Sequence, residues 1–169
     1  MRTLVAAALC AASLGGAAAP PPANPEIDMH AFLAAAHAAA DERESRRVDQ
    51  ATFVTMMREP GTVVLDARSR AMFERRHVAG AVSLSLPDFT EETLARAIPD
   101  RDARVLIYCN NNFEGAPASM PTKAVGAALN VSTFVSLHTY GYRNVYELGP
   151  AIDVKSSALE FAGSEVGRS

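Results

Sequence analysis

The 169-residue chain has no tryptophan, four tyrosines, seven phenylalanines and two cysteines. So few cysteines exclude a disulfide scaffold and a cysteine-rich structural zinc site. His30, His37, His77 and His138 are scattered without ligand spacing, so no metal is expected, and no cofactor motif is present. An excess of positive charge is missing too. Sixteen Lys and Arg stand against nineteen Asp and Glu, which leaves no basic stripe for a nucleic-acid partner. Beyond the leader, no apolar run is long enough to cross a bilayer. Repeats are absent, and Ser69, Ser83 and Ser85 lack the partner pattern of a hydrolase.

The longest apolar stretch opens the chain. "MRTLVAAALCAASLGGAAA" couples an early arginine to a short apolar segment ending in small residues, the composition of a secretory signal peptide. Pro20 disfavours cleavage directly before it, so residues 1–18 are the expected signal, with Gly16 and Ala18 as its small residues. Cys10 follows Leu9 in mid-segment, which argues against lipid modification. Residues 19–27 are a Pro-rich linker. The expected location is exported, in the bacterial periplasm, with no membrane association after cleavage. The mature chain of about 150 residues suits one domain with one core. Cleavage removes Cys10 and leaves Cys109 alone, unable to close an intrachain disulfide. In an oxidising compartment such a cysteine is an intermolecular partner, an inert buried residue or a reactive thiol.

Residues 28–45 form an Ala-rich helix opened by Asp28, with Phe32 and Leu33 on its apolar stripe. A second helix begins at Asp49, carries Phe53, Met56 and Met57, and stops at Pro60-Gly61. "TVVLDA" is β-branched without alternation, as in a strand covered on both faces. "SRAMFERRH" is a short helix, "AGAVSLSL" a strand, "TEETLARAI" a helix opened by Thr90, and "RVLIYC" a second fully apolar strand. Residues 123–139 are helix-rich, with a break expected at Asn130 to Thr133, and Gly141 ends that segment. "NVYEL" is the last strand, and the tail 150–169 shows no clear pattern. Alternating strands and helices predict an α/β fold: a mainly parallel central sheet flanked by helices on both faces.

In such sheets ligands bind beyond the carboxyl ends of the strands. Cys109 ends "RVLIYC", and "NNNFEGAPASMPTK" follows. A thiolate there is favoured by backbone N–H groups and a helix N-terminus. Asn110, Asn111 and Asn112 tolerate the left-handed backbone that would turn successive amides inward. Phe113, Glu114 and Gly115 continue the loop as candidate binding residues. Lys123, at an expected helix start, would add a full positive charge.

Three segments, "VVLDARSRAMFERRHVAGAVSL", "RVLIYC" and "YGYRNVYEL", resemble the rhodanese family in order and spacing over residues 46–149. The matching features are Asp-Ala-Arg after the first core strand, Phe-Glu before a His, His-x-x-Gly-Ala leading into the next strand, a strand ending Tyr-Cys, and Gly-Tyr-x-Asn-Val before the last strand. The resemblance implies a single-domain rhodanese-like fold in which Asp66, Arg68, Glu74, His77 and Gly80 are mostly structural. It implies that Cys109 is the nucleophile: its thiolate takes the outer sulfur of a small anion such as thiosulfate, and the persulfide passes that sulfur to a protein thiol, a low-molecular-weight thiol or cyanide. The chain departs from the family in one respect. Cys109 and Gly141 are separated by an insertion of roughly fifteen residues, and nothing between Cys109 and Lys123 is basic. The insertion is expected to form a lid or docking surface with Phe113, Pro117, Met120 and Pro121 as anchors and Gly115 as hinge. Two other outcomes follow from the same residues: a silent protein-binding module using that loop, or an arsenate reductase or phosphatase. The last needs an arginine a few residues past the cysteine, and the first is Arg143.

Overall fold

The computed structural model describes residue 22, residues 24–116 and residues 118–167. The signal peptide and its cleavage site, and Pro117 as a loop anchor, fall outside them. In chain order the elements are α1 (Met29–Glu44), β1 (Arg47–Val48), α2 (Gln50–Met57), β2 (Thr62–Asp66), α3 (Arg70–Arg75), β3 (His77–Val78), β4 (Val82–Ser83), α4 (Glu91–Ala97), β5 (Arg104–Tyr108), β6 (Phe113–Glu114), α5 (Leu129–Thr139), β7 (Val145–Leu148), β8 (Ile152–Asp153) and β9 (Phe161–Ala162). Three helices start at side-chain caps. Asp28 accepts from the N–H groups of His30 and Ala31, Asp49 from Thr52, and Thr90 from Thr93 in a reciprocal capping box.

The central sheet runs β1-β7-β5-β2-β4 with every pairing parallel. β5 lies at its middle, flanked by β7 and β2. Alternate residues of β5 face opposite layers. Val105 and Ile107 pack with Ala39 of α1, Leu94 of α4 and Phe134 and Leu137 of α5. Leu106 and Tyr108 pack with Phe53 of α2, Phe113, Met120 and Leu159. Burial on both faces explains the unbroken apolar run, and each fully buried Leu, Ile or Phe contributes about 1.5–3 kcal/mol.

Four expectations change. "AGAVSLSL" pairs only at Val82–Ser83, because His77–Val78 already forms a separate strand and Leu86–Asp88 turns as a 3-10 helix with Pro87 in its first turn. α5 runs unbroken through Asn130 to Thr133; the interruption lies earlier, at Ala128, between the 3-10 turn Val125–Ala127 and the helix. β1, absent from the sequence reading, adds a parallel edge to β7. The tail is also part of the fold. β8 pairs with β6, and β9 runs antiparallel to β3. Gly163 passes so close to Arg75 that a Cβ there would lie 2.5 Å from its carbonyl oxygen. These tail contacts are non-local, so no local periodicity announces them.

Candidate active site

Cys109 follows β5 in an extended conformation, φ −144 and ψ −174. Strand alternation therefore continues through it, and its side chain falls on the layer of Val105 and Ile107, the side of α5. The residue is 2% exposed. The chain then turns at once: Asn110–Asn112 form a 3-10 turn, with the Asn112 N–H donating to the Cys109 carbonyl at 3.2 Å. The three asparagines do not take the left-handed backbone expected of them. Positive φ occurs only at glycine among the described residues, because a 3-10 turn reverses the chain with ordinary right-handed angles.

Asn112 is the hub of the turn. Its Oδ1 accepts from the Cys109 N–H at 2.9 Å and from Asn130 Nδ2 at 3.0 Å. Its Nδ2 donates to the Leu148 carbonyl at 2.7 Å and the Pro150 carbonyl at 3.1 Å. One side chain thus joins the end of β5, the first turn of α5, the end of β7 and the tail. Through Asn130 it also brings the positive end of α5 against the cysteine turn.

The other predicted residues part company. Asn111 donates from Nδ2 to the Lys123 carbonyl at 2.8 Å and accepts the Lys123 N–H at 2.9 Å. Lys123 therefore serves by its backbone. It is exposed and lies upstream of the helix rather than at its start, since α5 opens at Leu129. Phe113 turns into the α2 layer, with ring centroids 5.8 Å from Tyr108 and 5.2 Å from Phe161. Glu114 is exposed and gives its carbonyl to the Val154 N–H at 3.1 Å. Gly115 is no hinge: its φ of +75 and the 3.0 Å that would separate a Cβ from Asp153 Oδ1 demand glycine where β6 meets β8. Nor is the insertion a lid. Phe113 and Met120 are buried in the layer opposite the cysteine side chain, and Pro121 is exposed.

A buried polar platform stands beside the strand ends. Arg68 donates from Nε and Nη2 to Asp66, from Nη1 to the Ser119 carbonyl at 3.0 Å and from Nη2 to the Arg76 carbonyl at 2.6 Å. Tyr108, next to Cys109, donates to Asp66 Oδ2 at 2.6 Å and accepts the Val78 N–H at 3.0 Å. Burial, then the neighbouring Asp66 charge, push its phenol well above the usual value, so it remains a donor.

Two buried polar residues of α5 escaped sequence reasoning: Asn130, which bonds the Asn112 hub, and Thr133, 4% and 2% exposed. They lie one turn apart on the stripe of α5 that continues through Phe134 and Leu137 into the core. Their polarity inside an apolar run suggested a helix break. The same pattern, read as i and i+3 on a core-facing stripe, marks a buried polar patch instead.

A family model, described as a rhodanese-like domain, matches residues 49–149. The chain belongs to the rhodanese-like domain family. Among solved structures, the BH2092 protein of Bacillus halodurans is 19% identical with a TM-score of 0.53, the match covering 79% of this chain and 88% of that one. The rhodanese-like domain of the Alr3790 protein from Anabaena sp. is 17% identical with a TM-score of 0.52, covering 73% of this chain and 83% of that one. At such identity these likenesses concern the fold. No curated protein matches the chain. In this rhodanese-like domain, among the described residues, no group of three or more His, Cys, Asp or Glu side chains converges as metal ligands would, and no helix is long and apolar enough to cross a membrane.

Proposed function

We propose that this rhodanese-like domain is an exported sulfurtransferase that carries sulfane sulfur as a persulfide on Cys109. The observation that carries the proposal is the position of Cys109 at the carboxyl end of the central parallel strand, with its backbone held by Asn112 beside the first turn of α5. The Cys109 thiolate attacks the outer sulfur of a donor such as thiosulfate. The sulfur–sulfur bond of the donor breaks, and sulfite leaves with the electron pair. A thiolate or cyanide then attacks the outer sulfur of the persulfide and releases the Cys109 thiolate. The first amides of the 3-10 turn have no partner within the turn, since the chain before them is extended, and they suit the anionic persulfide. Lys123 is not assigned the role of cation for the donor.

A second reading has one observation in its favour. At 2% exposure, Cys109 offers little surface to a donor, as expected of a module whose cysteine is not turned over and which binds a partner protein. Intact-mass spectrometry of the mature protein decides between them, before and after incubation with thiosulfate and, separately, with a low-molecular-weight persulfide. A gain of one sulfur atom, reversed by dithiothreitol and absent from Cys109→Ser, is expected. No gain from either donor, with Cys109 reduced and alkylatable, would reject the enzyme and leave the binding module. Signal removal is read from the same spectrum, as a mature chain beginning at residue 19.

A further inference from the structure

The first half of α1 is apolar and exposed, and the layout of the fold explains why. Helices α1 and α5 pack side by side. They run the same way, since α1 leads into β1, α5 leads into β7, and those two strands are parallel. Their last turns meet, with Glu42 Oε1 3.4 Å from His138 Nε2. α1 has 16 residues and α5 has 11, so at ~1.5 Å per residue α1 extends about 7 Å further at its start. Both helices run back from the carboxyl edge of the sheet, so the surplus overhangs that edge, the one at which Cys109 lies.

α1 packs on the core through Ala35, Ala36 and Ala39. Two turns earlier the same face carries Met29 and Phe32, with Leu33 beside them and Ile27 just ahead of the Asp28 cap. On the overhang this stripe has left its own domain behind. Ile27, Met29, Phe32 and Leu33 are 77%, 66%, 54% and 44% exposed. Half of the large apolar side chains exposed among the described residues thus stand on one short stretch of chain, a patch rather than the ordinary scatter.

Charge, area and shape together name what covers it. From Met29 to Ala40 the helix carries no Asp, Glu, Lys or Arg. A lipid surface is held by Lys and Arg on the polar face of such a helix, whereas here Asp28 and Asp41 bound it. A second copy of the chain meets no like charge across the stripe. With whole side chains of roughly 200 Å², the four residues expose on the order of 500 Å². Two copies then bury on the order of 1,000 Å² between them, the size at which specific interfaces begin.

We propose that α1 is the dimerisation element of this protein, two overhangs lying antiparallel, stripe against stripe, across a two-fold axis near Phe32. The antiparallel order follows from shape. Beyond Ala35 each stripe faces its own domain, so parallel helices would drive two domains into the same space; antiparallel helices set one domain at either end of the pair. Each overhang covers the other, an isologous contact that closes on itself. The two carboxyl edges are turned toward each other, and the strand ends that carry Cys109 face the cleft between the copies.

The test is sedimentation velocity on the mature protein from a few to a few hundred micromolar. The sedimenting mass is expected to double across that range. Phe32→Glu should weaken the association at least ~30-fold, the loss expected of a central interface side chain, with the Tm of the dilute protein unchanged. Met29→Glu should act alike, and an acidic residue in the first turn favours the helix, so melting of α1 does not account for the loss. Mild oxidation should link Phe32→Cys into a covalent dimer, while Lys155→Cys, exposed on the tail, stays monomeric. A monomer at every concentration, a dimer indifferent to both Glu variants, or equal cross-linking of the two Cys variants would overturn the proposal. Vesicles of phosphatidylcholine and phosphatidylglycerol settle the alternative: a monomer that sediments with them assigns the stripe to lipid, and one that does not leaves it to a different protein, either result excluding the second copy.

Discussion

Asn112 shows how much one side chain can carry in this domain. Four hydrogen bonds converge on its amide, two as acceptor and two as donor, and Asp, almost identical in shape, would place carboxylate oxygen against two carbonyls. Asn112→Asp is therefore expected to cost at least ~3 kcal/mol, seen in urea denaturation, whereas Asn111→Asp, at the exposed Lys123 turn, should cost less. Tyr108→Phe removes the donor to Asp66 and the acceptor of the Val78 N–H, both buried, and a loss of about 1–3 kcal/mol should follow. His138 supplies a pH dependence. Burial first, then the adjacent Arg143 guanidinium, hold its imidazole below the ordinary value, with Glu42 opposing. The folded state thus resists protonation. Stability is complete above about pH 6.5 and falls as pH drops through the ordinary value toward the lower folded one. Denaturant midpoints between pH 5 and 7.5 should show that slope, and His138→Gln should flatten it.

At the scale of elements, α1 is tied to the sheet by one ion pair more than by apolar burial. Arg43 clasps Glu147 of β7 through Nε and Nη2 at 2.7 and 2.6 Å, and Arg47 approaches the same carboxylate at 3.6 Å. Glu147 is 3% exposed, so losing Arg43 strands a buried charge. Arg43→Met should destabilise the domain by ~3 kcal/mol, and amide exchange should speed up along residues 29–44 ahead of β5. α2 was visible in the sequence through its Asp49 cap and apolar spacing, and the end of α5 through the Gly141 stop. The length of β4 was not, because β-branched residues mark compatibility with a strand and only a neighbour at hydrogen-bonding distance makes one. The polar stripe of α5 was misjudged for a related reason: Asn and Thr lower helix propensity, but packing against a buried loop overrides a preference of a few tenths of a kcal/mol.

Across the whole molecule, the tail and the enlarged loop after Cys109 form one unit. β6 pairs with β8, Phe113 packs on Phe161, Asn112 bonds the Pro150 carbonyl, and the Glu165 carboxylate, held below its usual range by Arg75, closes the end. Deleting residues 151–169 would expose the partners of Leu159 and Phe161. The expected loss is at least about 3 kcal/mol, a fall in Tm on the order of 10 °C, with Cys109 alkylated faster by iodoacetamide. An unchanged Tm and alkylation rate would show that the loop stands without the tail.

The family and the layered α/β plan were written in local sequence: unbroken apolar strands, capped helices, and a cysteine at a strand end in register with the His-x-x-Gly-Ala and Gly-Tyr steps. These are short-range signals, in which each residue's neighbours in sequence are its neighbours in space, and periodicity alone reports them. Where the loop goes was decided by tertiary structure. Phe113 and Met120, plausible covers for the thiol, enter the opposite layer because the tail offers them Phe161 and Leu159 there. Asn130 reaches the cysteine turn because the Asn112 amide, oriented by two carbonyls from β7 and the tail, turns its oxygen toward it. Contacts between residues eighteen and thirty-six apart in the chain depend on closure of the whole fold, and no window of sequence contains both ends of them.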